Sequence, residues 1–323
     1  MGKQNYDLPN LKVVVIGCTP LARHAIHAIK DVCEITGIMS LCPKKGATKS
    51  NYDSLKDLNG EFIVANTDDI NFEMNWIKDK DPDIILQCGW SQIFKPRILE
   101  IPKKYCIGIH PSPLPVGRGA AIINWKIIES EGKTVPWGNS LFVMEAKTDT
   151  GAILDFEPFD IEPRDDIRTA YLKVNQTSVE MLKRTIPKIA LNHITPKEQN
   201  SEYATRYHKR KPEDGEVFLN WGSTKVNDYV RALTHPYPGA FLNTKFGKLH
   251  IWETSLSFDA SPVFNSIADD GKIWSVNGKG LLVQSGRSSL WVRRVSFGNS
   301  PEVWADDWSQ TIGLQPGDNI LHD

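Results

Sequence analysis

Leu11-Lys12-Val13-Val14-Val15-Ile16-Gly17 decides the fold. It is a short β-branched run closed by glycine, the pattern of a strand buried on both faces. Residues 22–29 follow with apolar side chains at helical spacing, and residues 33–41 read as a second strand. The alternation continues. Residues 68–80 look helical. Pro82-Asp83-Ile84-Ile85-Leu86-Gln87-Cys88 is a further apolar run, residues 96–100 suggest a short helix, and residues 105–109 are strand-like. Strands alternating with helices build βαβ units on a largely parallel sheet. The fold class is therefore α/β.

Further along, residues 120–131 carry Ile122, Ile123, Trp125, Ile127 and Ile128 and predict a helix. Residues 139–144 and 152–159 read as strands. A long amphipathic helix is expected over about 166–192, with Pro163 just before it and Pro187 kinking or tightening its last part. Residues 195–212 are polar, hold the basic cluster His208-Lys209-Arg210-Lys211, and read as a linker. Beyond them come one helix, about 226–234, and many short β-like runs separated by Gly247, Gly271, Gly278 and Gly286. That pattern predicts a small β domain or barrel. The expected division is 1–194, a linker over 195–212, and 213–323.

Composition narrows the class. The chain has 323 residues, 40% hydrophobic and 24% charged, which suits folded domains and excludes a disordered chain. The formal net charge is −1, which gives no support to a dedicated nucleic-acid binder. The five cysteines (18, 33, 42, 88 and 106) form no C-x-x-C pair, so neither a disulfide framework nor a zinc site is expected. Reduced thiols in a cytoplasmic protein are the better reading. The polar start lacks a signal-peptide core, Tyr6 breaks an N-myristoylation motif, and no apolar run approaches a membrane span.

The motifs differ in weight. Gly17-Cys18-Thr19-Pro20 joins a strand to a helix, but Thr19 and Ala22 stand where the dinucleotide fingerprint needs glycine. A nicotinamide dehydrogenase is disfavoured. Asp149-Thr150-Gly151 occurs once, whereas aspartic-protease chemistry needs two carboxylates. His110-Pro111-Ser112-Pro113-Leu114-Pro115 is more telling. It puts an imidazole at the C-terminal edge of a sheet, where open α/β folds bind ligands, and its prolines stiffen the following loop. An imidazole held that way suits acid–base chemistry near neutral pH.

Gly108-Ile109-His110-Pro111-Ser112-Pro113-Leu114-Pro115, Arg118-Gly119-Ala120-Ala121, Gly138-Asn139-Ser140 and Asp149-Thr150-Gly151-Ala152-Ile153-Leu154 together resemble the 10-formyltetrahydrofolate-dependent formyltransferase family. The resemblance covers nearly the whole chain, including the segment from Gly89 to Phe94. It implies a Rossmann-like, mainly parallel sheet with helices on both faces, plus a C-terminal OB-like β barrel. It also implies an Asn–His–Asp constellation. The family histidine matches His110 and the aspartate Asp149, with Ser140 as a supporting hydroxyl. The family asparagine falls on Gly108, a departure. That asparagine donates to the developing oxyanion, and losing such a donor costs about 2.7–4 kcal/mol. Asn124 or Asn139 could replace it, the favoured reading. Otherwise the imidazolium of His110 carries more of the charge, or the protein is a weak or hydrolytic relative.

The same resemblance places the pterin against Trp90, Ser91, Gln92, Ile93 and Phe94 and the backbone of Lys147 and Thr148. It places the amine substrate near Ser112, Pro113, Arg118 and Asn124. The implied cosubstrate is 10-formyltetrahydrofolate, with no metal. Asn124-Trp125, Lys211-Pro212-Glu213-Asp214-Gly215 and Pro236-Tyr237-Pro238-Gly239-Ala240-Phe241 look most like the bacterial nucleotide-sugar N-formyltransferases. The small charge total leans the same way, because a tRNA ligand engages several phosphates. The expected partners are therefore a nucleotide-linked amino sugar and folate, in bacterial polysaccharide biosynthesis. Membrane is not expected, nucleic acid is disfavoured, and a homodimer is implied. The alternative acceptor is methionyl-tRNA.

Overall fold

The computed structural model describes residues 9–256, 269–278 and 280–322. In chain order the first elements are β1 (Lys12–Gly17), α1 (Pro20–Ile29), β2 (Glu34–Leu41), α2 (Pro43–Gly46), β3 (Val64–Thr67), α3 (Met74–Asp79), β4 (Ile84–Cys88), α4 (Pro96–Leu99) and β5 (Tyr105–His110). Then come β6 (Arg118–Gly119), α5 (Ile122–Ile128), β7 (Val135–Val143), β8 (Ile153–Ile161), α6 (Ile167–Ala190) and β9 (Arg206–Tyr207). The remainder is α7 (Ser223–Leu233), β10 (Ala240–Thr244), β11 (Gly247–Leu256), β12 (Ile273–Val276), β13 (Leu281–Ser285), β14 (Ser288–Phe297), β15 (Val303–Trp304) and α8 (Ala305–Thr311).

Among the described residues, seven strands form one sheet in the order β3-β2-β1-β4-β5-β7-β8. β1 pairs in parallel with β2 and β4, and β5 in parallel with β4, whereas β7 runs antiparallel to β5. The period-2 geometry of a strand sends alternate residues to opposite faces. Val13 and Val15 therefore join Ala22, Ile26 and Ile29 of α1 and Met181, Leu182 and Ile186 of α6 on one face. Val14 and Ile16 join Ile77 of α3 and Ile98 of α4 on the other. This is the expected α/β architecture with helices on both faces. The continuous apolar run of β1 is explained, because neither face meets water.

The chain divides into two compact units, and the division interleaves. The described residues within 1–122, 136–160 and 171–208 form the first; those within 123–135, 161–170 and 209–323 form the second. In the second unit the antiparallel path is β10-β11-β14-β13-β12, with β15 paired to β14. The stretch read as a linker carries secondary structure of its own. Its β9 pairs in parallel with β6, and Lys197 bridges Ile153 antiparallel. The helix expected over 68–80 is shorter, a 3₁₀ turn at Ile70–Phe72 and then α3. α6 runs through Pro187 to Ala190.

The five cysteines are free. Burial pushes the Cys18 thiol up to about 11 and that of Cys33 to about 12, so both stay protonated and unreactive near neutral pH. Among the described residues, no helix is long and apolar enough to cross a membrane, and no group of histidine, cysteine and acidic residues could hold a metal.

Candidate functional site

β5 delivers His110 to the C-terminal edge of the sheet. Its ring is only 7% exposed, and its Nε2 lies 2.7 Å from the carbonyl of Gly117. A carbonyl only accepts, so Nε2 carries a proton and donates. Nδ1 faces Asp149 Oδ1 at 3.7 Å, beyond hydrogen-bond length but within ion-pair reach. Asp149 is 9% exposed and adopts φ +61°, a left-handed conformation that costs a non-glycine residue energy. Its Oδ2 accepts the Gly119 N–H at 2.8 Å.

Ser140 sits opposite His110 in the β5–β7 register. Its hydroxyl donates to the Ser112 carbonyl at 2.7 Å and accepts from Leu114 N–H at 3.2 Å. Trp137 Nε1 donates to the Pro111 carbonyl at 2.8 Å. β7 thus ties down the proline-rich loop beyond His110. Ser140→Ala removes both bonds of this buried hydroxyl but leaves Leu114 N–H its bond to the Ser112 carbonyl at 3.0 Å, so a loss of about 0.5–1.5 kcal/mol is expected in denaturant unfolding. A difference below about 0.5 kcal/mol would show that the loop is held otherwise.

Gly108 lies on the same strand face as His110. A Cβ there would sit 3.0 Å from Phe142 Cε1 and 3.1 Å from Met144 Cγ. The Phe142 ring also meets the imidazole edge-on, 6.5 Å between centroids. The side-chain space at 108 is therefore filled by β7 and its continuation. Both suggested replacement donors are committed elsewhere. Asn139 Nδ2 donates to the Val174 carbonyl and to the hydroxyls of Thr177 and Ser178 on α6. Asn124 Nδ2 donates to the Ala232 carbonyl at 2.8 Å, inside the second unit. Asn139 has no N–H to spare, and the Asn124 amide nitrogen is turned to the Ala232 carbonyl; both bonds speak against a substitute asparagine.

The other predicted residues divide. Trp90 and Phe94 are buried in the core against β1 and β2, not laid along an open cleft. Gln92 is taken up by Ile70 N–H and the Asp68 carbonyl. Ser91 is exposed, and Ile93 is exposed at 65%. Lys147 and Thr148 are exposed, and the Thr148 carbonyl accepts from Arg206. Pro113 is half-buried and Ser112 buried. Arg118, expected to meet the substrate, is buried and donates from Nε and Nη2 to Gln199 Oε1. Arg118 and Asn124 therefore brace the chain.

Sequence reasoning missed Gly117, Gly119, Gln199 and Thr205. The glycines flanking Arg118 were the available signal. Gly119 has φ +108°, and a Cβ on it would lie 2.0 Å from the Tyr207 carbonyl oxygen.

The formyl transferase family matches residues 43–186, and the formyl transferase C-terminal domain family matches residues 209–312. The methionyl-tRNA formyltransferase of Natranaerobius thermophilus is 30% identical over 248 residues, 76% of this chain and 77% of that protein. The chain belongs to the formyl transferase family. The bifunctional polymyxin resistance protein ArnA of Wigglesworthia glossinidia brevipalpis is 32% identical to this formyl transferase over 207 residues, 64% of this chain. That match spans about a third of ArnA, 31% of its length.

Two solved structures share the fold. HypX from Aquifex aeolicus in complex with tetrahydrofolic acid has a TM-score of 0.65 at 14% identity. It matches 94% of this chain, which spans about half of HypX (47%). An N-formyltransferase from Helicobacter canadensis, in complex with folinic acid and dTDP-3-aminofucose, has a TM-score of 0.63 at 16% identity and covers 88% of this chain and 99% of its own. In this formyl transferase, His110, Asp149 and Ser140 stand together at one sheet edge, and Gly108 lies beside them under Phe142.

Proposed function

We propose that this protein transfers a formyl group from 10-formyltetrahydrofolate to the primary amine of a nucleotide-linked amino sugar. The observation that carries the reading is the His110–Asp149 pair at 3.7 Å, held at the C-terminal edge of a formyl transferase sheet. The residues fit a formyl carrier. Ser112 Oγ, two residues beyond His110, is a buried polar atom with no hydrogen-bond partner among the described residues. Buried donors of that kind call for an acceptor.

The folate supplies an activated formyl group. His110 acts on the charge that develops on the formyl oxygen. The amine attacks the formyl carbon and the formyl C–N bond to the folate breaks, releasing tetrahydrofolate. With the Nε2 proton anchored on Gly117, Nδ1 takes the amine proton and passes it to the departing folate nitrogen. Asp149 faces Nδ1 and stabilises the imidazolium. Phe142 and Met144 exclude water from the Gly108 side, which strengthens each of these interactions. With Asn124 and Asn139 engaged elsewhere, His110 carries the charge stabilisation that the family divides between two side chains. Acid–base help of this kind is worth about 10²–10⁴ in rate.

The sugar acceptor is supported by the net charge of −1 and by the likeness to a solved sugar N-formyltransferase. The reading fits a cytoplasmic enzyme of polysaccharide precursor synthesis. The second reading is methionyl-tRNA, favoured by 30% identity to a methionyl-tRNA formyltransferase. One screen separates them. The protein is given 10-formyltetrahydrofolate with 3-amino and 4-amino nucleotide sugars and, separately, charged initiator tRNA. Formylated sugar without formylated tRNA is expected. Transfer to tRNA alone overturns the sugar reading, and release of formate without transfer overturns both.

A further inference from the structure

We infer that Gln199 is a positioning residue for His110 and Asp149, set in a strap, residues 197–207, that holds this pair in place. The inference rests on the reading of His110 and Asp149 given above. Residues 187–208 lie between the two family matches, 43–186 and 209–312.

Gln199 uses both ends of its amide. Oε1 accepts from Arg118 Nη2 at 2.7 Å and from Nε at 3.2 Å. Nε2 donates to the carbonyls of Gly151 at 2.7 Å and Asp149 at 3.1 Å. A guanidinium cannot accept and a carbonyl cannot donate, so the amide has one orientation only. It ties Arg118 to the backbone that carries Asp149. Asp149 is in a left-handed conformation, which persists only where its surroundings over-determine it. Gln199 on its carbonyl and Gly119 N–H on its carboxylate are two such restraints.

The same strap holds the other half of the pair. Gly117 receives the His110 Nε2 proton and Gly119 donates to Asp149, so one short segment grips both side chains. That segment is bound to the strap on either side of Gly119. Gly117 N–H donates to Thr205 Oγ1 at 2.8 Å, Arg118 N–H to the Thr205 carbonyl at 2.9 Å, and Ala120 N–H to the Tyr207 carbonyl at 3.2 Å. Lys197 closes the far end against Ile153 through two backbone bonds of 2.7 and 2.8 Å. Arg118 is 5% exposed, and its Nη2 also reaches Ser201 Oγ, at the longer distance of 3.5 Å. Gln199 is therefore the principal acceptor of a buried cation as well as an anchor of the catalytic backbone.

Two substitutions in the full-length protein separate positioning from bulk stability. Gln199→Met keeps the length and removes every bond. Gln199→Glu keeps the acceptor for Arg118 but cannot donate to the two carbonyls. For both, kcat is expected to fall about 10- to 100-fold, because small misplacements of reacting groups cost that much. KM for either substrate should stay within about threefold, as no substrate contact is removed. The ¹⁵N resonances of the His110 ring, which report the proton on each nitrogen, should change in both variants. Wild-type kcat in Gln199→Glu would overturn the inference, since holding Arg118 alone would then suffice. Lower melting temperature with unchanged kcat and unchanged ¹⁵N pattern would also overturn it. Thr205→Val, on an exposed residue, reads the same strap should Gln199→Met fail to fold. If the wild type formylates no amine, the functional reading fails, while the ¹⁵N comparison still decides the strap.

Discussion

His110→Asn is expected to lower formyl transfer by about 10²–10⁴ while the protein stays folded. The magnitude follows from how much this one side chain is asked to do. Gly108 offers no side-chain donor, and its space is filled by Phe142 and Met144. Asn124 and Asn139 are hydrogen-bonded away from the pair. An asparagine at 110 cannot take up a proton, and its shorter amide does not reach Gly117 as Nε2 does; the Ser140 and Trp137 bonds still hold the loop. Asp149→Asn is expected to fall in the same range. Its amide oxygen can keep the Gly119 bond, yet the charge facing Nδ1 is gone. Single-turnover assays with the acceptor found in the screen measure both. A variant within about tenfold of wild type would remove His110 from the chemistry, since that is below the smallest effect expected of a general acid–base.

The largest expected effect on stability lies in the second unit. Asp228 is fully buried on α7, and Arg231 donates from Nε to its Oδ1 at 2.8 Å. The guanidinium also reaches the Asp165 and Ile127 carbonyls and the Ser130 hydroxyl, and Gly132 N–H donates to Asp228 Oδ2. Arg231→Met strands a buried carboxylate, and breaking such a pair costs about 3–5 kcal/mol. For a unit of this size that is a fall of about 10 °C or more in melting temperature. Arg231→Met with Asp228→Leu should recover part of it, because a packed apolar pair replaces the lone charge.

Acidity provides a second check on the same residue. Burial holds the Asp228 carboxyl above its ordinary value, although Arg231 pulls it down. The folded form therefore binds this proton more tightly than the unfolded form. Its contribution to stability is full below the ordinary carboxylate value and is lost as pH rises through the raised one. Arg231→Met removes the opposing charge and widens that window, so the variant should regain stability on mild acidification. Calorimetry across mildly acidic pH reads the change. A variant equally unstable at every pH would mean that the lost bonds to backbone carbonyls, rather than the buried charge, cause the defect.

The local elements were legible because each is written in the spacing of neighbouring side chains. The run from Val13 to Ile16 alternates between two helical layers, so all four residues had to be apolar. α6 announced itself through its apolar spacing and ends within two residues of the expected end. His110, Asp149 and Ser140 were found as a set through motif resemblance, and the structure brings them to one sheet edge. Arg118 and Asn124 were read as substrate contacts because exposed polar chemistry and buried bracing look alike in a string of letters. Residues 195–212 looked like a linker because they are polar and lack a period, yet they hold the Arg118 segment through backbone bonds.

By itself the sequence determined the layered α/β sheet, the β-rich second part, and the chemical types gathered after β5. Those features depend on periods of two and 3.6 residues and on turn formers, which act between near neighbours. Only the tertiary structure decided which donor meets which acceptor. Gln199 reaches back 50 residues to Asp149 and 81 to Arg118, and Thr205 reaches 88 to Gly117. No local preference encodes such pairings. They exist because the packed sheet brings distant backbone groups into contact, and each buried donor or acceptor must then find a partner there.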